Sequence, residues 1–235
     1  MRRTIGILLM VTPALASAGS WSGEAGLGLL TSSGNSETRS ANAKLALDWS
    51  GAGWHNAFLA QAMNAADSGQ TTSERYLLGN QLDRDFDERR YAFLAVEFER
   101  DLFGGLRQRT SQTVGYGHRF LTGPVHELEA EIGAGARQTE AQQTRAREDD
   151  VIARAAGRWK WTLSPTSSFQ QQLKTESGAS NTFSESVSEL KLSVVGNLFL
   201  SAAVTVRHNS EVAPAVKSTD TFTALTLSYT FGQTP

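Results

Sequence analysis

Apolar and polar residues alternate with a period of two over long stretches of this chain. From residue 41 to residue 49 the odd positions are apolar and most even positions are polar, and residues 127–137 and 151–161 repeat the pattern. Successive side chains of a β-strand point to opposite faces of a sheet, whereas a helix repeats every 3.6 residues. The pattern therefore predicts an all-β protein whose sheet has one apolar and one polar face.

About twelve stretches of this kind can be placed along the chain. They predict strands over residues 21–31, 38–49, 54–64, 72–86, 90–99, 106–120, 126–139, 149–162, 168–177, 182–194, 198–208 and 220–231. The pairs Leu77-Leu78 and Val194-Val195 put apolar residues on both faces, which indicates either a bulge or a wrong phase. A count of ten strands therefore remains the alternative.

The connections between the predicted strands alternate in character. Every second one is short and rich in turn-forming residues, as at residues 50–53, 87–89, 121–125, 163–167 and 195–197. The others are generally longer and more polar, as at residues 32–37, 65–71, 100–105, 140–148, 177–181 and 209–219. Short periplasmic turns opposite longer external loops are typical of an up-and-down outer-membrane barrel.

All five tryptophans of the chain lie next to the predicted short turns or at the start of the first strand. Membrane-spanning barrels carry girdles of aromatic residues where the wall meets the membrane interface. Nothing in the core of a soluble protein requires aromatic residues beside alternate turns. The distribution therefore indicates one membrane-facing rim.

The size of the apolar side chains indicates which face points outwards. Eight strands leave an interior that side chains just fill, and the bore widens with strand number. Much of the apolar face consists of alanine, as in Ala130, Ala134, Ala153 and Ala155, and such side chains would leave voids in a wide lumen. We therefore predict a transmembrane, up-and-down antiparallel β-barrel with an apolar outer face; a soluble exported barrel is the structural alternative.

The polar face then lines the lumen, and its charges are arranged in rows. An acidic row on the seventh predicted strand lies between basic rows on the eighth and sixth strands; the members are Glu127, Glu129, Glu131, Arg154, Arg158, Lys160, Arg107, Arg109 and Arg119. Opposite charges on adjacent strands are close enough to pair. The rows have two interpretations: a charge-lined passage for small solutes or ions, and an ion-pair ladder that fills the lumen and stops flow.

The first residues are typical of a secretion signal. Arg2 and Arg3 precede an apolar run over residues 5–11, and Ala16-Ser17-Ala18 has the small residues of a cleavage site. We expect residues 1–18 to be a Sec-type signal peptide and residues 19–235 to form the barrel domain. Such a protein would be inserted by the barrel-assembly machinery and contact the lipids of the cell outer membrane. The formal net charge of −2 gives no footprint for nucleic acid.

Three segments resemble a known family. They are the opening residues 21–38 with their Ser33-Gly34-Asn35-Ser36 turn, residues 97–106 and residues 114–120. In these segments the chain is similar to the salt-induced outer-membrane protein family, a domain of unknown function. The resemblance implies an outer-membrane location and a link to salt or osmotic stress, and it implies no reaction and no cofactor.

A barrel-embedded lipid-modifying hydrolase is the alternative function. His208, Asn209 and Ser210 are the residue types of a Ser-His-Asn site. Consecutive side chains of a strand point to opposite faces, however, so the three cannot converge without a fold in the chain. We therefore expect no catalytic site, no metal site and no bound cofactor.

The export signal predicts a defined mature N-terminus. When the full chain is expressed in a Gram-negative host, the membrane-inserted protein should begin at Gly19, because Ala16 and Ala18 satisfy the signal peptidase. Intact-mass measurement of the purified protein checks this. Ala18→Arg should leave the precursor uncut, and a processed Ala18→Arg protein would contradict the assignment.

Overall fold

The structure, a computed structural model, describes residues 19–32, 38–102, 105–212 and 217–232. These residues form twelve strands: β1 (Ser20–Ser32), β2 (Thr38–Gly51), β3 (Trp54–Asp67), β4 (Gln70–Asp85), β5 (Arg90–Asp101), β6 (Leu106–Thr122), β7 (His126–Ala141), β8 (Arg147–Ser164), β9 (Ser167–Ser177), β10 (Thr182–Val195), β11 (Leu198–Asn209) and β12 (Thr219–Gly232). The predicted signal peptide and the predicted turn at residues 33–36 lie outside the described residues. In the part of the chain that is described, no helix is long and apolar enough to cross a membrane.

The strands form one closed sheet. Each strand pairs antiparallel with its neighbours in the chain, and β1 also pairs with β12. Residues 22–27 of β1 lie opposite residues 227–232 of β12, so each strand has two partners. The prediction of a twelve-stranded antiparallel barrel is confirmed, and the ten-stranded alternative is wrong.

The two faces of each strand differ in exposure. In β5, Tyr91, Phe93 and Glu99 are buried, whereas the alternate residues Leu94 and Phe98 are exposed. Alternate side chains of a barrel wall point into the lumen or away from it. The exposed apolar residues therefore form the outer face, and the buried polar and aromatic residues line the inside.

The ends of the barrel differ less in loop length than the sequence predicts. At the end where β1 begins and β12 ends, the connections are residues 52–53, 86–89, 123–125, 165–166 and 196–197. At the opposite end they are residues 33–37, 68–69, 102–105, 142–146, 178–181 and 210–218. The predicted loop at residues 65–71 is reduced to Ser68-Gly69, because β3 and β4 continue into a two-residue turn with positive φ at both positions, 50° and 79°. We call these two ends the short-turn end and the loop end.

The turn at residues 86–89 is fixed by one carboxylate. Asp87 Oδ1 accepts hydrogen bonds from the backbone N–H groups of Arg89 at 2.9 Å and Arg90 at 2.8 Å. Its Oδ2 lies 2.6 Å from Nε of Arg90. These contacts, foremost the N–H of Arg89, favour the ionised carboxylate and lower the pKa of Asp87 from its ordinary value.

The tryptophans lie at the short-turn end, as the sequence predicts. Trp21 and Trp49 are cross-strand partners with ring centroids 6.5 Å apart. Trp159 and Trp161 stack at 5.9 Å near the end of β8, and the guanidinium of Arg84 lies 5.1 Å from the ring of Trp54. The short-turn end therefore carries an aromatic rim.

Two glycines let an aromatic ring lie close to the inner wall. Gly115 of β6 and Gly133 of β7 are direct cross-strand partners. A Cβ on Gly115 would lie 2.2 Å from the carbonyl oxygen of Ile132 and 2.7 Å from the ring of Phe93, and a Cβ on Gly133 would lie 3.0 Å from the same ring. The space beside the wall is therefore filled by Phe93, and no side chain fits at Gly115.

Gly115→Val should destabilise the barrel by about 1–3 kcal/mol, because the added side chain would force the wall and Phe93 apart. The measurement is the urea midpoint of the refolded protein, followed by tryptophan fluorescence. Gly79→Val is the matched control, since a Cβ at Gly79 meets nothing within 4 Å. Equal loss of stability in the two variants would contradict the proposed clash.

Candidate functional site: the charged lumen

Ion pairs between strands that are not neighbours identify the lumen. Nζ of Lys174 on β9 lies 2.8 Å from Oε2 of Glu97 on β5. Nη2 of Arg207 on β11 lies 2.5 Å from Oε1 of Glu99, also on β5. Several strands separate β5 from β9 and β11 in the closed sheet, so these side chains meet only by crossing the interior.

A compact charged group fills the interior towards the loop end. We call it the plug, and its members are Arg75, Glu99, Arg109, Phe183, Glu185 and Arg207. Glu99 is the centre: it pairs with Arg109, with Nε of Arg75 at 2.8 Å and with Arg207. Arg75 also reaches Glu185, with 3.5 Å between Nη2 and Oε2. Arg207 Nη1 lies 3.2 Å from Oδ2 of Asp101, which brings a further negative charge to the group.

Phe183 contributes an aromatic ring to the plug. Its centroid lies 3.8 Å from Cζ of Arg109 and 4.9 Å from Cζ of Arg207. Nζ of Lys174 is 5.5 Å from the same centroid. Cations are attracted to the face of an aromatic ring, and the attraction is stronger where water is excluded. The ring therefore contacts three cationic side chains inside the bore, towards the loop end.

Two members of the plug have no exposed surface. Glu99 and Phe183 both point into the lumen, and both are 0% exposed. An open water-filled channel would leave inward-facing side chains in contact with solvent. Water therefore does not reach Glu99 or Phe183, while the side chains of Arg75 and Glu185 in the same group keep 12% and 15% exposure.

The acidic row predicted from sequence lies on the inner wall towards the short-turn end. Direct contacts join each of its members to a basic residue of β8: Glu131 to Arg154 at 3.0 Å, Glu129 to Arg158 at 2.8 Å and Glu127 to Lys160 at 2.9 Å. We call these six residues the vestibule row. The side-chain exposure of the acids rises from 8% at Glu131 to 21% at Glu129 and 51% at Glu127. The lumen therefore opens to solvent at the short-turn end.

The three arginines predicted on β6 have separate positions. Arg119 lies opposite Glu129 and pairs with Asp85 at 2.9 Å, near the vestibule row. Arg109 belongs to the plug. Arg107 lies away from both groups: a bulge between Leu106 and Gln108 turns it towards Glu140 on the outer face, with 3.0 Å between Nε and Oε1.

The opposite wall carries charges that the sequence analysis does not single out. Glu24 of β1 pairs with Lys191 of β10 and with Lys44 of β2, the latter at 3.3 Å. Lys44 also lies 3.7 Å from Glu189. Each of these residues is on the inward phase of its strand, so the alternation is a signal that could have identified them. The vestibule therefore has paired charges on both walls.

Tyr91, near the short-turn end of β5, is buried and points into the lumen. Its hydroxyl donates to Oε1 of Glu131 at 3.0 Å, and Arg119 Cζ lies 4.5 Å from its ring centroid. Gln81 Nε2 donates to the same oxygen of Glu131 at 2.7 Å. The phenol ring fills space in the lumen, and its hydroxyl donates a hydrogen bond to a buried carboxylate. Both contacts explain why Tyr91 faces inward.

The residues of the suggested hydrolase triplet have different partners. His208 Nδ1 lies 2.9 Å from Oγ1 of Thr219 on the neighbouring strand. Asn209 Oδ1 accepts from Asn181 at 2.9 Å, and Ser210 Oγ donates to Oδ1 of Asn181 at 3.2 Å. The three side chains therefore brace the loop end and do not converge on one another.

Comparisons with known proteins identify a family, a relative and two similar solved structures. A family model described as "Protein of unknown function, DUF481" matches residues 25–231. The "Uncharacterized protein YdiY" of Escherichia coli (strain K12) is 30% identical over 208 residues, which cover 88% of this chain and 82% of that protein. An outer membrane channel from Pseudomonas putida F1 has a similar fold, with a TM-score of 0.52, 13% identity and coverage of 92% of this chain and 96% of that chain. The KdgM porin is also similar, with a TM-score of 0.46, 9% identity and coverage of 91% and 99%.

Glu99→Ala should destabilise the protein by about 3–5 kcal/mol, because it leaves the buried Arg109 and Arg207 and the largely covered Arg75 without their shared carboxylate. Glu127→Ala is the control and should cost about 0–1 kcal/mol, because the Glu127–Lys160 pair is half exposed. Both values come from urea unfolding at neutral pH. Similar losses for the two variants would show that Glu99 is not the centre of a buried network.

Proposed function

We propose that this chain, a member of the DUF481 family of proteins of unknown function, is a channel-like barrel of the outer membrane. In this proposal the plug holds the passage closed. The observation that carries the proposal is the zero exposure of Glu99 and Phe183 in the bore. On the short-turn side, the vestibule row leaves a charged, water-accessible mouth. The protein would thus be a narrow charge-lined passage in its closed state.

The outer face supports the membrane location. Large apolar residues such as Leu94, Val114, Ile132, Val151 and Leu173 are exposed on successive strands. Soluble monomers rarely expose a contiguous apolar surface of this extent. Lipid would cover it, and insertion would require the barrel-assembly machinery. This face also argues against a soluble exported barrel.

We orient the barrel with its short-turn end in the periplasm, as in other barrels of this class. The aromatic rim of tryptophans would then lie at the inner interface. The predicted removal of residues 1–18 would leave the mature N-terminus on the same side. In this orientation the vestibule opens to the periplasm, and the plug lies near the external mouth.

The charges favour small ions as the permeating solutes. The vestibule row sets the acidic groups of β7 beside the basic groups of β8, which suits hydrated ions more than large neutral molecules. Ionic strength weakens exposed ion pairs more than buried ones. Raised salt would therefore weaken the ion pairs at the mouth before those of the plug. This difference would allow the passage to respond to salt or osmotic stress.

A purely structural barrel is the second candidate, and the ion pairs that cross the lumen favour it. In that case the plug serves only stability, and no condition opens the bore. A lipid-modifying hydrolase has no comparable support, since His208, Asn209 and Ser210 have separate partners. Conductance therefore separates the two remaining candidates.

Removing the aromatic ring of the plug should open the passage. In planar bilayers, wild-type protein should show small, rare openings, and Phe183→Ala should raise the single-channel conductance several-fold, because the ring leaves and its cations lose their common contact. Phe98→Ala is the matched control: it removes the same side chain from the outer face at a similar level, where Phe98 is exposed.

Folding of both variants is checked first, by the faster migration of unheated barrel on denaturing gels. A folded Phe183→Ala protein without conductance would favour the structural barrel. Equal conductance in Phe98→Ala and Phe183→Ala would show that the plug does not hold the passage closed.

A further inference from the structure

Three arginines share one glutamate on the outside of the barrel at the loop end. Glu140 Oε1 lies 3.0 Å from Nε of Arg107 and 3.4 Å from Nη1 of Arg145. Its Oε2 lies 3.0 Å from Nη2 of Arg147, the residue directly opposite on β8. We call these four residues the arginine cluster.

The register places the cluster on the outer face. On β7, Glu140 has the same phase as Ile132, and on β8, Arg147 has the same phase as Val151. Ile132 and Val151 are exposed members of the apolar outer surface. Arg147 is four positions beyond Val151, which is about 13 Å along the strand. The cluster therefore lies just past the apolar belt, at its boundary with the loops.

The cluster has more positive charge than it can pair. Its carboxylate is covered, at 8% exposure, while Arg145 and Arg147 are 58% and 71% exposed. Three guanidinium groups surround a single carboxylate. Asp149, two positions further on the same face of β8, brings only one more negative charge. An excess of positive charge remains, and several N–H donors of Arg145 and Arg147 stay directed to the surroundings.

Guanidinium groups bind phosphate through two parallel N–H donors, and they do so better than ammonium groups. In the orientation proposed above, the cluster lies at the level of the outer-leaflet headgroups. The outer leaflet of a Gram-negative bacterium consists of a phosphorylated glycolipid. Its phosphates would meet the arginines while its acyl chains cover Ile132 and Val151, an anchorage that free phosphate lacks.

We infer that the arginine cluster is a binding site for a phosphate group of lipopolysaccharide, the glycolipid of the outer leaflet. The site combines cationic donors at the boundary with an apolar wall directly below them. The inference rests on the proposed outer-membrane location and orientation. It assigns a partner to the outer face, which the proposed passage through the lumen does not use.

The test measures binding of lipid A to the full mature protein in detergent micelles by native mass spectrometry. Bisphosphorylated lipid A should bind at least about tenfold more tightly than lipid A stripped of its phosphates, since each phosphate brings charge-assisted hydrogen bonds. Inorganic phosphate alone should not compete at concentrations comparable to the lipid. The double variant Arg145→Gln, Arg147→Gln should lose the preference for the phosphorylated lipid.

The matched control is Arg89→Gln, Arg90→Gln, which removes the same charge at the opposite end and should bind like wild type. The inference would be overturned by equal affinity for the two lipids or by an unchanged preference in the Arg145/Arg147 variant. Competition by inorganic phosphate at concentrations comparable to the lipid would also overturn it. The proposed passage is tested separately. If Phe183→Ala conducts but the protein binds both forms of lipid A equally, only the inferred phosphate site is contradicted.

Discussion

Closure of the sheet is the constraint on which the other features depend. A β-strand presents a row of N–H and C=O groups on each side, and a row left without partners in an apolar medium costs several kcal/mol per group. Pairing of residues 22–27 of β1 with residues 227–232 of β12 closes the described sheet. Closure also creates an enclosed interior, so alternation along each strand becomes a division between an apolar exterior and a polar lumen.

A lumen lined with charge is stable only when the charges compensate one another. A carboxylate with no exposed surface, such as Glu99, could not remain ionised alone, and three arginines around it would repel each other without it. The plug meets both requirements because its members come from β4, β5, β6, β10 and β11, whose inward side chains meet across the lumen. The vestibule row is different in kind, since its pairs join adjacent strands and are increasingly solvated towards the mouth.

Much of the fold could be predicted from the sequence because side-chain phase is a local property. The sequence leaves open which residue of Leu77-Leu78 faces the lumen. In the structure Leu77 packs inside at 7% exposure and Leu78 faces outward at 49%. At Val194-Val195 the same break in alternation does mark a bulge, because the register shifts between Ser193 and Val195. The bulge that turns Arg107 outward gives no such signal, because residues 106–108 do not place two apolar side chains next to each other.

The plug was beyond sequence analysis for a different reason. Its contacts join residues such as Glu99 and Arg207, whose proximity depends on the width of the barrel and the tilt of its strands. Adjacent-strand pairs such as Glu127–Lys160 need only the register, which the turns supply. The local alternation of residues is therefore enough to predict which side chains face inward and which pair across adjacent strands. Contacts across the lumen also depend on how the whole sheet closes.

The seam between the first and last strands also governs how the barrel can assemble. Eleven of the twelve strand pairings join neighbours through short connections, whereas Ser22 and Gly232 are about 210 positions apart. The entropy lost on joining two chain positions grows with the length of chain between them, so hairpins form readily and the seam is the slowest contact to find. Until it forms, both terminal strands are templates for wrong partners, and the time spent in that state determines the yield of folded protein.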